Sequence, residues 1–129
     1  MRKWLWLSEE AVLAIHDEQI AEHGGAAMLR DAGLLQSALA RPLHLVAYGK
    51  PDVAALAAAY GYGFAINQPF IDGNERVALV AMETFLLLNG HRLSASDEDC
   101  VLTILCLAEG ALSEEALAEW LRDHLERAR

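Results

Sequence analysis

The chain has 129 residues, 54% of them hydrophobic and only three of them proline, a length and composition that fit one domain with a single core and exclude a disordered tail. Nineteen acidic against ten basic residues leave a formal charge of −9, which excludes non-specific nucleic-acid binding through a basic surface. No uninterrupted apolar run of about 18 residues occurs, and the apolar start is too short for a signal-peptide core, so no membrane role and a cytoplasmic location are expected.

Trp4 to Leu7 reads as a short extended segment laying aromatic rings on the core. Ser8 caps a first helix, with Glu9 and Glu10 in the turn that the helix dipole favours. Val12, Ile15 and Ile20 mark its apolar side, and Gly24-Gly25 ends it. His16, Asp17, Glu18, Glu22 and His23 have metal-ligand chemistry, but most of them fall on the solvated face of an amphipathic helix. A second helix is expected from about Asp31 to Arg41, with Leu34, Leu35, Ala38 and Leu39 inward and Pro42 closing it. Leu43 to Lys50, flanked by Pro42 and Pro51, reads as a loop or short extended flap.

A third helix presents Val53, Leu56, Ala57, Tyr60 and Phe64 at helical spacing, with Gly61 and Gly63 permitting close helix contact. The most polar, turn-rich stretch follows: Gln68-Pro69-Phe70-Ile71-Asp72-Gly73-Asn74-Glu75-Arg76. Pro69 biases Gln68 away from helical angles and ends the third helix. Asp72-Gly73-Asn74 supplies a turn, with Asp or Asn able to cap the next helix, which begins near Asn74. The backbone N–H groups of residues 73–76 are then a ready anion site, because orphan donors and helix dipole point the same way. Asp72 places a hard oxygen ligand beside it, of the type Mg²⁺ takes alongside substrate phosphates. Arg76, one turn in, can reach the same anion with a planar fork of donors.

Val77 to Leu88 is apolar nearly all round, which predicts a central, buried helix over roughly 74–89, ended by Asn89-Gly90. Ser96 caps a fifth helix whose stripe is Val101, Ile104, Leu105 and Ala108. Cys100 and Cys106, the two cysteines, lie within it and are expected to be buried, reduced thiols. Ser113 starts the last helix, with Leu117, Trp120, Leu121 and Leu125 inward and a basic end from Arg122 to Arg129.

The run from Gln68 to Arg76 resembles the signature of the Fic/Doc (death-on-curing) family, His-Pro-Phe-x-Asp-Gly-Asn-Lys-Arg before an apolar helix. Pro69, Phe70, Asp72, Gly73, Asn74 and Arg76 match it, and the likeness continues through Thr84-Phe85-Leu86 and Leu88 to Leu93. Arg30 to Pro42 is similar to the family's other recurrent stretch. The resemblance implies an all-α, single-domain bundle of about six helices around a buried central helix, spanning 1–129. It also implies ATP-dependent transfer to a protein hydroxyl. The Fic branch moves AMP; the Doc branch, which this chain is nearer, phosphorylates a translation elongation factor and is silenced by an antitoxin segment.

Carried over by position, Phe70 anchors the loop, Asp72 holds Mg²⁺, Gly73 and Asn74 cradle phosphate, and Arg76 pairs with phosphate charge. The segment Leu43 to Lys50 corresponds to a flap over the site. The family's general-base His falls on Gln68 and its Lys on Glu75. A Gln amide does not titrate near neutral pH, and Glu75 sets negative charge where phosphate docks, so catalysis is expected to be impaired. The alternatives are a non-catalytic antitoxin-binding or regulatory module, and a divergent AMP-transferring enzyme. A divergent enzyme would draw its base from His44 or His91.

Overall fold

The computed structural model describes residues 3–128. Its elements are α1 (Glu9–His23), α2 (Ala32–Tyr48), α3 (Val53–Asn67), α4 (Asn74–Leu88), β1 (His91–Leu93), α5 (Asp97–Ala108), α6 (Glu114–Asp123) and β2 (Leu125–Arg127). The fold is all-α, as the motif implies, apart from the small β1–β2 ladder. Five helices start on a Ser or Asp whose side chain accepts a first-turn N–H: Ser8, Asp31, Asp52, Ser96 and Ser113. Each such cap satisfies a donor that the helix cannot. The exception is α4, which begins on Gly73 with no side-chain cap.

The helix enclosed nearly all round is α3, not the 74–89 stretch. Eleven of its fifteen residues are buried, against seven of fifteen in α4, and it packs on α2, α4, α5 and α6. Its alanines and glycines are the reason, since small side chains let neighbours approach. A Cβ on Gly61 would lie 2.4 Å from Met82 Sδ on α4, and one on Gly63 would lie 3.1 Å from Ala38 Cα on α2. The close contact expected at these glycines is therefore made on two sides. Trp6 stacks on Phe85 with ring centroids 5.9 Å apart, and Trp4 lies 6.3 Å from the same ring. The N-terminal segment thus packs on the core as its composition suggested.

Further expectations need correcting. Pro42 does not close α2: the helix continues to Tyr48, so Leu43 to Tyr48 is helix and not flap. A mid-helix proline forfeits one backbone hydrogen bond and crowds the carbonyl four residues back. Here Pro42 is buried on the same face as Leu35 and Ala38, and apolar burial offsets that cost. On α5 the inward residues are Cys100, Ile104 and Leu107, while Val101 and Leu105 are 52% and 45% exposed. The helix has apolar residues on two faces, so periodicity could not choose between them. Cys100 is buried but Cys106 is exposed, and both are free.

A last correction is at the C-terminus. α6 stops at Asp123, and Leu125–Arg127 pairs antiparallel with His91–Leu93, placing Leu125 opposite Leu93. Arg92 and Glu126 form an ion pair of 2.9 Å across it. A three-residue strand is too short to show a period, and its partner lies far upstream. Arg129, the end of the expected basic terminus, lies outside the described residues. Among the described residues no helix is long and apolar enough to cross a membrane.

Burial, and then the neighbouring Asp97 carboxylate, hold the Glu83 carboxyl above its usual range. Protonation of Glu83 therefore favours the folded chain. That contribution is complete below the ordinary value of 4.5 and is lost as pH rises through the raised folded value. Glu83→Gln is expected to be more stable than the unaltered chain at neutral pH, the difference closing as pH falls toward the ordinary carboxylate range. Urea denaturation across that range checks it; equal midpoints at neutral pH would remove the effect.

Candidate active site

The connection from α3 to α4 is built on an unusual backbone. Gln68 caps α3 in the left-handed region, with φ 49 and ψ 61, and is the non-glycine residue at positive φ among those described. Pro69 does turn it out of the right-handed helix, but into the left-handed region instead of an extended one. Such a conformation costs about 1–2 kcal/mol, so something must hold it. The Gln68 N–H donates to the Phe64 carbonyl at 3.1 Å. Arg30 reaches over with Nε on the Gln68 carbonyl and Nη2 on that of Asn67, both at 2.8 Å. One planar guanidinium thus satisfies two carbonyls that the helix end leaves open.

Beyond Pro69 the chain dives inward. Phe70 is 1% exposed, and Asn74, 6% exposed, grips its peptide groups. Asn74 Oδ1 accepts from the Phe70 N–H at 3.0 Å, and its Nδ2 donates to the Phe70 carbonyl at 2.9 Å. Phe70 thus lies in the core with both of its peptide groups held. The Asn74 side chain is turned to it and not to the groove described below.

The segment lying along this loop is the α1–α2 connector, not residues 43–50. Arg30 N–H and Asp31 N–H both donate to the Pro69 carbonyl, and the Ile71 N–H donates to that of Met28 at 2.9 Å. Asp72 Oδ2 accepts from the Ala26 N–H at 2.8 Å. Asn67 Nδ2 donates to the carbonyl of Leu34, near the start of α2. His44 lies about 15 Å further along that helix, and His91 follows the far end of α4. The structure therefore sets neither substitute base beside the loop.

The histidine that is there was missed. His16 is 2% exposed, its ring stacks on Phe70 with centroids 3.8 Å apart and planes 9° apart, and its Nε2 lies 2.8 Å from the Asp72 carbonyl oxygen. Because a carbonyl only accepts, Nε2 carries the hydrogen. The signal was present: Val12, His16 and Ile20 recur every four residues on the buried face of α1. Among the described residues no three His, Cys, Asp or Glu groups are placed to hold a metal ion, so the acid and His series on α1 does not assemble.

Loop and helices enclose a groove of about 580 Å³. His23, Gly24 and Gly25 form one wall; Asp72, Gly73, Glu75, Arg76 and Leu79 a second; Val101, Ile104 and Leu105 a third. Gln68 is exposed and lies outside this lining. Neither Glu75 nor Arg76 forms an ion pair among the described residues. An uncapped helix N-terminus, a carboxylate and an unpaired guanidinium thus share one opening, a combination suited to a phosphate and a cation.

The model of the Fic/DOC family matches residues 6–86, which include the whole of this loop. The chain belongs to the Fic/DOC family. It is 32% identical over 117 residues to "Protein kinase doc" of Escherichia phage P1, covering 90% of this chain and 92% of that protein. It is 44% identical over 75 residues to "Toxin Doc" of Mycolicibacterium smegmatis, covering 56% of this chain and 57% of that protein.

Removing the Asn74 amide would strand two buried peptide groups, each costing about 1–3 kcal/mol. Asn74→Ala is accordingly expected to lose about 2–6 kcal/mol of stability, read from urea denaturation. A loss under about 0.5 kcal/mol, the range of ordinary surface changes, would show that the clamp does not hold the loop.

Proposed function

We propose that the chain is a Doc-like toxin of a toxin–antitoxin pair, cytoplasmic, whose α4 start is built to bind ATP with Mg²⁺ and pass a phosphoryl group to a protein hydroxyl, but whose transfer is impaired by Gln68 and Glu75. The observation that carries this is the uncapped α4 N-terminus, which opens into a groove also holding Asp72 and the unpaired Arg76. In the transfer, the bond from the γ-phosphorus to the β–γ bridging oxygen breaks, a bond to the substrate oxygen forms, and ADP leaves. The kinase name of the phage relative favours this over AMP transfer, and the family resemblance suggests a translation elongation factor as substrate.

The residues present fit the metal. Asp72 commits Oδ2 to Ala26, which leaves its other oxygen for a cation that the nucleotide phosphates would share. Mg²⁺ there would neutralise charge on the transferring group. Arg76 would pair with phosphate, and the free amides of α4 would cradle it. The weak point is the hydroxyl proton. Gln68 holds the position of the family's base without a titratable group, a loss worth about 10²- to 10⁴-fold in rate. Glu75 lines the same groove, and its charge opposes the incoming phosphates.

Restoring Gln68→His and Glu75→Lys together is expected to recover transfer and growth inhibition, with either single change much weaker. Labelled ATP and cell extract would read it, γ-label marking phosphorylation and α-label AMP transfer. A folded double variant that labels no protein and leaves growth untouched would sink the enzymatic reading.

A second reading, a module that binds an antitoxin without catalysis, is favoured by the groove's character. Leu79, Val101, Ile104 and Leu105 give it an apolar side, and Val101 and Leu105 stay exposed. α5 carries three acids in its first turn and no base in its last. An amphipathic helix with basic and apolar residues complements that surface. Calorimetry with the C-terminal segment of an antitoxin encoded beside this chain should show binding independent of Gln68. No heat at tens of micromolar removes the antitoxin reading.

A further inference from the structure

We infer that His16 is a positioning residue: its buried Nε2–H locks the Asp72–Gly73 peptide so that the Gly73 N–H faces the groove. The inference rests on the nucleotide-binding reading above and concerns how the anion cradle is kept in shape. Gly73 has φ 83 and ψ 14, in the left-handed region. A flip of the Asp72–Gly73 peptide would carry Gly73 to a negative φ and reverse the direction of its N–H. Glycine takes either sign of φ readily. The orientation is therefore a two-way choice that the loop sequence alone does not settle.

His16 settles it. The Asp72 carbonyl accepts from Nε2 at 2.8 Å, beneath the loop, where the imidazole is wedged flat against Phe70. The described chain contains no cis peptide. In a planar trans peptide C=O and N–H point opposite ways. With the carbonyl directed at the buried ring, the Gly73 N–H is directed away from it, on the side where Gly73 lines the groove. A flipped peptide would present a carbonyl oxygen to the anion instead of a donor. Packing alone does not need a histidine here, since a phenylalanine would also stack on Phe70. The N–H is what an apolar ring lacks.

The test uses the full chain with two donor-less variants, His16→Phe and His16→Met, and one that keeps a donor at similar reach, His16→Gln. Two quantities are followed by nuclear magnetic resonance: the Asp72 carbonyl carbon with the Gly73 amide, and the affinity for tripolyphosphate and for ATP·Mg²⁺. Whichever donor-less variant folds should shift both resonances and bind tripolyphosphate about tenfold more weakly, the value of one hydrogen bond to a charged group. His16→Gln should keep the resonances and remain within about threefold in affinity, a difference well below that of a full hydrogen bond.

A folded donor-less variant that binds as tightly as the unaltered chain overturns the inference, whatever its resonances do. So does a glutamine variant that falls as far as the donor-less ones, because the ring alone would then matter. If the unaltered chain binds neither probe, the nucleotide reading fails separately. The Asp72 carbonyl then decides the lock: unmoved in the donor-less variant, it overturns the inference, and moved there but retained with glutamine, it upholds it.

Discussion

Phe70 lies in the core with its backbone N–H and C=O beyond the reach of water, and the Asn74 side chain satisfies both. Unpaired, those groups would make the buried position untenable. The clamp has a second consequence. Asn74 is the first residue of α4, and a side chain committed to Phe70 is not available to the amides of its own helix. Gly73, before it, has no side chain to offer. The contact that fixes the loop in the core is thus also the reason α4 starts open, while the other five helices are closed by Ser or Asp. The buried loop and the open helix start come from one arrangement.

Around that clamp the loop is held from both ends by elements distant in sequence. Arg30 ties its entrance, holding the left-handed Gln68 through the carbonyls of residues 67 and 68. His16 and the Ala26 N–H tie its exit through the carbonyl and carboxylate of Asp72. The connector between α1 and α2 must lie close for this to work. Gly25, at φ 114, leaves only 3.0 Å between the place a Cβ would take and Asp72 Cβ, a spacing and a backbone angle that only glycine meets without strain.

What could be read in the sequence was what is local. Ser8, Ser96 and Ser113 marked helix starts because a cap acts within three residues. Pro69 and Asp72-Gly73-Asn74 marked the loop because turn chemistry is equally short-ranged. Pro42 misled because its local penalty is outweighed by burial on the inward face of α2, which no window of sequence contains. Residues 43–50 looked like a flap for the same reason, while the true companion of the loop, residues 26–31, revealed itself only through backbone pairing. His16 was legible on its apolar stripe but was grouped with the acids beside it. Gln68 and Glu75 were identified at once as the departures from the motif, since that comparison needs no tertiary contact.

Those two departures also show how separately fold and chemistry are written. The backbone of Gln68 is strained and held by Arg30, but its side chain is exposed and lies outside the groove lining. Glu75 lines the groove without an ion pair among the described residues, beside an equally unpaired Arg76. Neither side chain contributes to the Phe70–Asn74 clamp, the His16 contact or the α3 packing. A change at either position therefore leaves the architecture intact. The residues that cannot change so freely are Asn74, which clamps Phe70 and leaves α4 uncapped, and Gly73, which turns the chain at φ 83 where it lines the groove.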